Sequence, residues 1–169
     1  DDTGAAIDSE WVPVDMAAIP ELVGQDLETP DEMGNLAAMD KLGNPDNIKF
    51  SERLRTLFIG EDSGTHVNNY LWAFNVDTRQ LSRLLSNPSG AESTGLHAVD
   101  DANGFTYIMS NFQHAADWEL EKDASGNVTG GLHVKVYEKL TPLIKANYAD
   151  ARGKLGGAVG YLSGMPAAS

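Results

Sequence analysis

Cysteine is absent from this 169-residue sequence. That excludes a disulfide, a thiolate metal ligand and a thiol nucleophile within the chain, and it leaves the compartment open. Long apolar runs are absent too, and nothing approaches the roughly 18 to 20 residues that a helix needs to cross a bilayer. The opening residues, DDTGAAIDSEWVPVD, lack the basic and apolar regions of a signal peptide, so if the protein is exported the signal is expected upstream or already removed. Basic residues are scarce, 12 against 25 acidic ones. The resulting net charge of −13 repels phosphate backbones and anionic membranes and attracts cations. No nucleic-acid partner and no membrane span are expected. Solubility and cation binding both account for the acidity, and only the placement of the acids separates them. Missing as well are a phosphate loop ending in Lys-Ser/Thr and a Gly-x-Ser-x-Gly elbow, which removes a serine hydrolase as the leading reading.

What is present is enough apolar sequence, 41% of residues, to bury one core. The first fifty residues hold Pro13, Pro20, Pro30 and Pro45, many acids, and only short apolar clusters at Trp11-Val12 and Ile19 to Val23. Residues 1–42 therefore read as an irregular surface excursion with one or two helical turns. Excursions of this length are usually functional or belong to a neighbouring part of the fold, so the chain is expected to begin inside a larger domain.

From Asn47 the pattern becomes one of short strands bounded by Gly, Asn, Asp or Pro: Ile48 to Phe50, Thr56 to Ile59, Tyr70 to Val76, Leu81 to Leu85, Gly104 to Ser110 and Leu132 to Tyr137. Asp77 to Gln80 fits a hairpin loop, and Lys122 to Gly131 a loop that includes the sequon Asn127-Val128-Thr129. Strands occupy residues 43–137. Residues 138–169 read as a short helix from about Thr141, with Leu140, Leu143, Ile144 and Tyr148 on one face, followed by a closing strand or tail. The class is mainly β. Strand spacing alone fits a sandwich, a barrel or a propeller, and the acidic loops before strands lean towards a propeller.

Four windows could carry chemistry. Gly60 to Asn69 (GEDSGTHVNN) follows an apolar strand and supplies carboxylates, amides and carbonyls, the oxygen donors that calcium takes, without the spacing of an EF-hand. Ser89 to Gly95 places Glu92 among small residues that let an ion approach the backbone. Ser110 to His114 ends a strand with groups able to bind a phosphoryl oxygen or move a proton. Gly43 to Asn47 presents Asp46 in a turn.

In order and spacing, NPDNIKF, LFIGEDSGTHVNNYLWAFNVDT, LSRLLSNPSGAESTG and GFTYIMSNFQHA resemble the C-terminal region of PhoX-type alkaline phosphatases, over about residues 43–118, and the final GYLSGMP is similar to that family's ending. Members are exported β-propellers, and the PhoX enzymes among them hydrolyse phosphate monoesters with calcium and iron ions. The resemblance implies that Glu61, Asp62, Asn68 and Glu92 lie near the metal end and that His114 and Asp46 belong to the catalytic group. It implies calcium as cofactor, with iron held by ligands upstream, since the family's iron centre uses a cysteine. It also implies a periplasmic or secreted location, a phosphate ester substrate, and the N-terminal remainder of the same protein as partner. Asn44-Pro45-Asp46 departs from the basic residue and glutamate that active relatives carry in this turn. The six strands read above make about one to two four-stranded blades. Two readings therefore stand beside each other: the C-terminal part of a calcium-dependent phosphatase, and a non-catalytic calcium-stabilised propeller that acts as a binding, structural or self-assembling module.

Overall fold

The structure, a computed structural model, describes residues 17–167. The apolar pair Trp11-Val12, Pro13 and the last two residues of the expected tail lie outside the described residues. The fold is mainly β, in antiparallel sheets that form no closed barrel among the described residues. Four strands, β1 (Pro45–Ser51), β2 (Thr56–Glu61), β3 (Tyr70–Asn75) and β4 (Gln80–Ser86), form a meander in that order. A second sheet is built from β5 (Glu92–Ala102), β6 (Phe105–Gln113) and, further along the chain, β9 (Ala158–Pro166), which pairs with β6. Between β6 and β9 lie a small hairpin, β7 (Glu121–Lys122) with β8 (Val128–Gly130), and the helix α1 (Tyr137–Tyr148).

Alternation along β3 organises the core, because successive side chains of a strand point to opposite faces. Tyr70, Trp72 and Phe74 face one way and pack with Ile59 and with Leu42, Leu22, Ile19 and Met39 of the N-terminal segment. Leu71 and Ala73 face the other way and pack with Phe58 and with Ile108, Leu162 and Met165 of the second sheet. Among the described residues, the segment before β1 is irregular, with one 3-10 turn at Pro20–Leu22. It is more than a surface excursion, because it packs Ile19, Leu22 and Met39 on one face of the meander and buries Leu42 there.

Three expectations differ from the structure. Leu132 to Tyr137 is not a strand: it turns and enters α1, which begins at Tyr137 rather than near Thr141. The apparent alternation of LHVKVY hides a helical spacing, in which Leu132, Val136 and Leu140 pack together against Val67. The expected loop at Lys122 to Gly131 forms most of the two-stranded β7–β8 hairpin, which begins at Glu121. Ser89 to Gly95 enters β5, a strand of 11 residues that Gly95, Asp100 and Asp101 disguise in the sequence. Its register against β6 is interrupted between Thr94 and His97 and between Val99 and Ala102. It returns through Asn103-Gly104, both at positive φ (54° and 82°), as a tight hairpin requires.

Candidate metal and phosphoryl site

Antiparallel pairing gathers the four sequence windows at one end of the molecule. Pro45, at the start of β1, pairs with Glu61 at the end of β2. Glu92, at the start of β5, pairs with Gln113 at the end of β6. The two sheets meet closely here: a side chain on Gly60 would bring its Cβ to 2.7 Å from the Ser93 carbonyl oxygen. The Asn47 amide donates to that same carbonyl at 3.3 Å. Further along, the Ser51 hydroxyl donates to Asp100 at 2.6 Å, holding β1 beside β5.

Glu92 is buried, with its residue 8% exposed. Burial raises its carboxyl above the ordinary range; the Asp62 carboxylate within hydrogen-bonding reach raises it further, as does Asp46, and His114 opposes them. The Gln113 amide contacts one Glu92 oxygen. His114 Nε2 lies 3.5 Å from the other, and its Nδ1 lies 3.9 Å from Asp117. His114 and Ala116 sit at positive φ, 39° and 64°, a costly conformation for non-glycine residues that is common at functional sites. The neighbouring loop permits this turn because Gly90, at φ 73°, has no side chain; a Cβ there would meet the Asp117 backbone at 2.7 Å. Asp46, Asp62, Glu92 and His114 therefore share one electrostatic neighbourhood.

Glu61 and Asn68 are occupied elsewhere. Glu61 is fully buried: one carboxylate oxygen accepts the Gly43 N–H at 2.7 Å, and the other accepts the Tyr70 N–H at 3.0 Å and lies 3.3 Å from His66 Nδ1. Strand alternation turns Glu61 inward and its neighbour Asp62 outward, so two adjacent acids acquire opposite roles. The Asn68 amide donates to Ser86 and to the Asn87 carbonyl, and its oxygen accepts the Ser89 hydroxyl at 2.6 Å. It braces the β4–β5 connection.

The sequence windows did not include Asp117, Glu119 or His133, which line a small polar cleft of about 110 Å³ together with Asp62, His66 and His114. The alternating Asp117-x-Glu119 just beyond the His114 window is the signal that would have found the first two. Burial raises the Glu119 carboxyl, with Asp117 and Asp62 adding to it. His133 is a structural group: its Nδ1 accepts the Glu119 N–H at 3.0 Å, its Nε2 donates to the Val67 carbonyl at 3.2 Å, and burial lowers its pKa.

The crowded carboxylates fit a hard divalent cation in donor chemistry, since Asp62 and Glu92 offer oxygens and their mutual repulsion favours an added positive charge. Among the described residues no three His, Asp or Glu side chains converge on one point, and this pair alone would offer only part of the roughly six to eight oxygens that a calcium ion takes. No protein-family model, curated protein or solved structure matches this chain.

Proposed function

We propose that this chain is the C-terminal part of a secreted or periplasmic calcium-dependent phosphatase that hydrolyses phosphate monoesters, the remainder of the propeller coming from upstream sequence. The observation that carries the reading is the pair of facing carboxylates, Asp62 and Glu92, with His114 and Asp46 beside them at the end where both sheets present their loops. The four-stranded meander supports a propeller blade, which has this strand number and order.

In this reading Asp62 and Glu92 hold calcium through their carboxylate oxygens. Such an ion, when bound, would supply positive charge to phosphoryl oxygens and a means of activating an oxygen nucleophile. His114, partly exposed, holds a proton at Nε2 for the phosphoryl group or the leaving alcohol, and Asp117 orients its other ring nitrogen. Asp46 contributes negative charge at the mouth and serves as a proton acceptor. Iron has no thiolate donor in this chain, so its ligands belong upstream and no step is routed through it.

A second reading keeps calcium and the propeller without catalysis. It is favoured by Glu61 and Asn68, whose polar atoms are consumed inside the fold. The experiment that separates the two is metal analysis and p-nitrophenyl phosphate turnover on protein purified from its source without chelator. Calcium together with turnover that chelation abolishes supports the phosphatase. Calcium without turnover supports the non-catalytic module, and a metal-free protein overturns both.

A further inference from the structure

A larger cavity of about 550 Å³ adjoins the acidic cleft, and the two share Glu119. Its size falls within the range of small-molecule sites, about 300 to 1,000 Å³. Its walls are largely backbone and aliphatic: Gly34 and Gly131 lie at φ 107° and 101°, and Leu36, Leu132 and Val134 add apolar surface. The shape is preformed. Asp31 accepts the N–H groups of Met33, Gly34 and Asn35, the Asn35 side chain accepts the Val67 N–H at 2.8 Å, and Leu36 donates to the Thr65 carbonyl at 2.7 Å. Two carboxylates, Glu119 and Glu121, border the cavity, and no cation among the described residues forms an ion pair with either. The single lysine on the rim, Lys135, is drawn aside to the Asp31 carbonyl at 2.6 Å. The Glu119 carboxylate lies against Gly64, where a Cβ would meet its oxygens at 3.4 and 3.5 Å, and so spans the passage between cavity and cleft.

We propose that this cavity binds a small organic cation, an apolar body bearing a primary ammonium, with the ammonium between Glu119 and Glu121 and the body against Leu36, Leu132 and Val134. If the adjoining cleft takes the phosphoryl group, as the proposed function has it, the cavity takes the alcohol portion of the ester and selects substrates whose alcohol carries an amine. An aliphatic wall with unpaired carboxylates favours such a ligand over an anion of the same shape, and the net charge of −13 acts in the same direction.

The test is an NMR titration of the full chain with 2-phenylethylamine and, separately, 3-phenylpropionate, in chelator so that no metal competes. The amine binds and the carboxylate does not. The double variant Glu119→Gln, Glu121→Gln weakens the amine at least tenfold, and added salt weakens it as well. Neither residue is buried in the core, so a melt unchanged from wild type separates lost binding from lost fold. Equal binding of amine and carboxylate, no binding of the amine, or amine binding that the double variant leaves intact overturns the proposal. Because the titration needs neither metal nor turnover, amine binding by this chain, with no phosphatase activity in the protein purified from its source, refutes the phosphatase reading alone. Turnover in a protein that ignores the amine refutes the cavity assignment alone.

Discussion

Replacing Glu92 by Gln should stabilise the calcium-free protein and abolish most of its response to calcium. Two unit charges 4 Å apart repel by about 4 kcal/mol at an effective dielectric constant of 20 and by about 1 kcal/mol in water. Glu92 is buried but Asp62 is exposed, and His114 offsets part of the repulsion, so the relief is set near the lower limit, about 1 kcal/mol. The glutamine keeps an oxygen for the Gln113 amide and turns an N–H towards Asp62, which replaces a repulsion by a hydrogen bond. For a chain of this size 1 kcal/mol corresponds to about 2 to 4 °C in Tm. Calcium at a hundred times its Kd should stabilise the wild type by about 2.7 kcal/mol and the variant by much less. Thermal melts followed by near-ultraviolet circular dichroism at pH 7, in chelator and in calcium, measure both effects. The pH dependence supplies an internal check. The folded-state carboxyl of Glu92 is raised, so the native protein binds the extra proton as pH falls towards the ordinary glutamate value of about 4.3, and the penalty in the wild type disappears there. The gap between variant and wild type must close on acidification. A variant that melts below wild type in chelator, or calcium shifts of equal size in the two proteins, refutes the reasoning.

Two further predictions rest on groups inside the fold. Glu61→Ala strands the buried Gly43 and Tyr70 N–H groups and leaves His66 without its carboxylate, and it should cost about 3 to 5 kcal/mol; a urea midpoint in chelator close to that of wild type would contradict the structural role of this acid. His133, whose burial lowers its pKa, should titrate by NMR below the ordinary histidine value of about 6.5. Its contribution to stability is then fully present above that value and is lost as pH falls through it towards the folded pKa. A midpoint at or above 6.5 would refute the assignment of its ring nitrogens as acceptor from Glu119 and donor to Val67.

The positions of the first five strands and of the helix show how far local pattern reaches. Tyr70 to Val76 alternates and is bounded by turn residues, so β3 was legible. β5 was not, because acids and a glycine interrupt its alternation and only pairing with β6 holds it extended. LHVKVY could be read at period 2 or as part of a helical row, and packing of Val136 and Leu140 against Val67 resolved it in favour of turn and helix.

By itself the sequence determined a mainly β chain with one core, the absence of thiol chemistry, an excess of acid, and which loops carry the oxygen donors. Tertiary structure alone decided which of those donors face one another. Glu61 and Asp62 are adjacent in sequence, yet alternation sends one into the core and the other to the surface. Glu92 and Asp62 are thirty residues apart, yet the close approach of Gly60 to Ser93 brings their loops together. The cavity beside them is assembled from residues 30–36, Gly64, 119–121 and 131–135, parts of the chain that share no local pattern. Local preferences act over a few residues, whereas the juxtaposition of charges depends on sheet register and on how the two sheets pack.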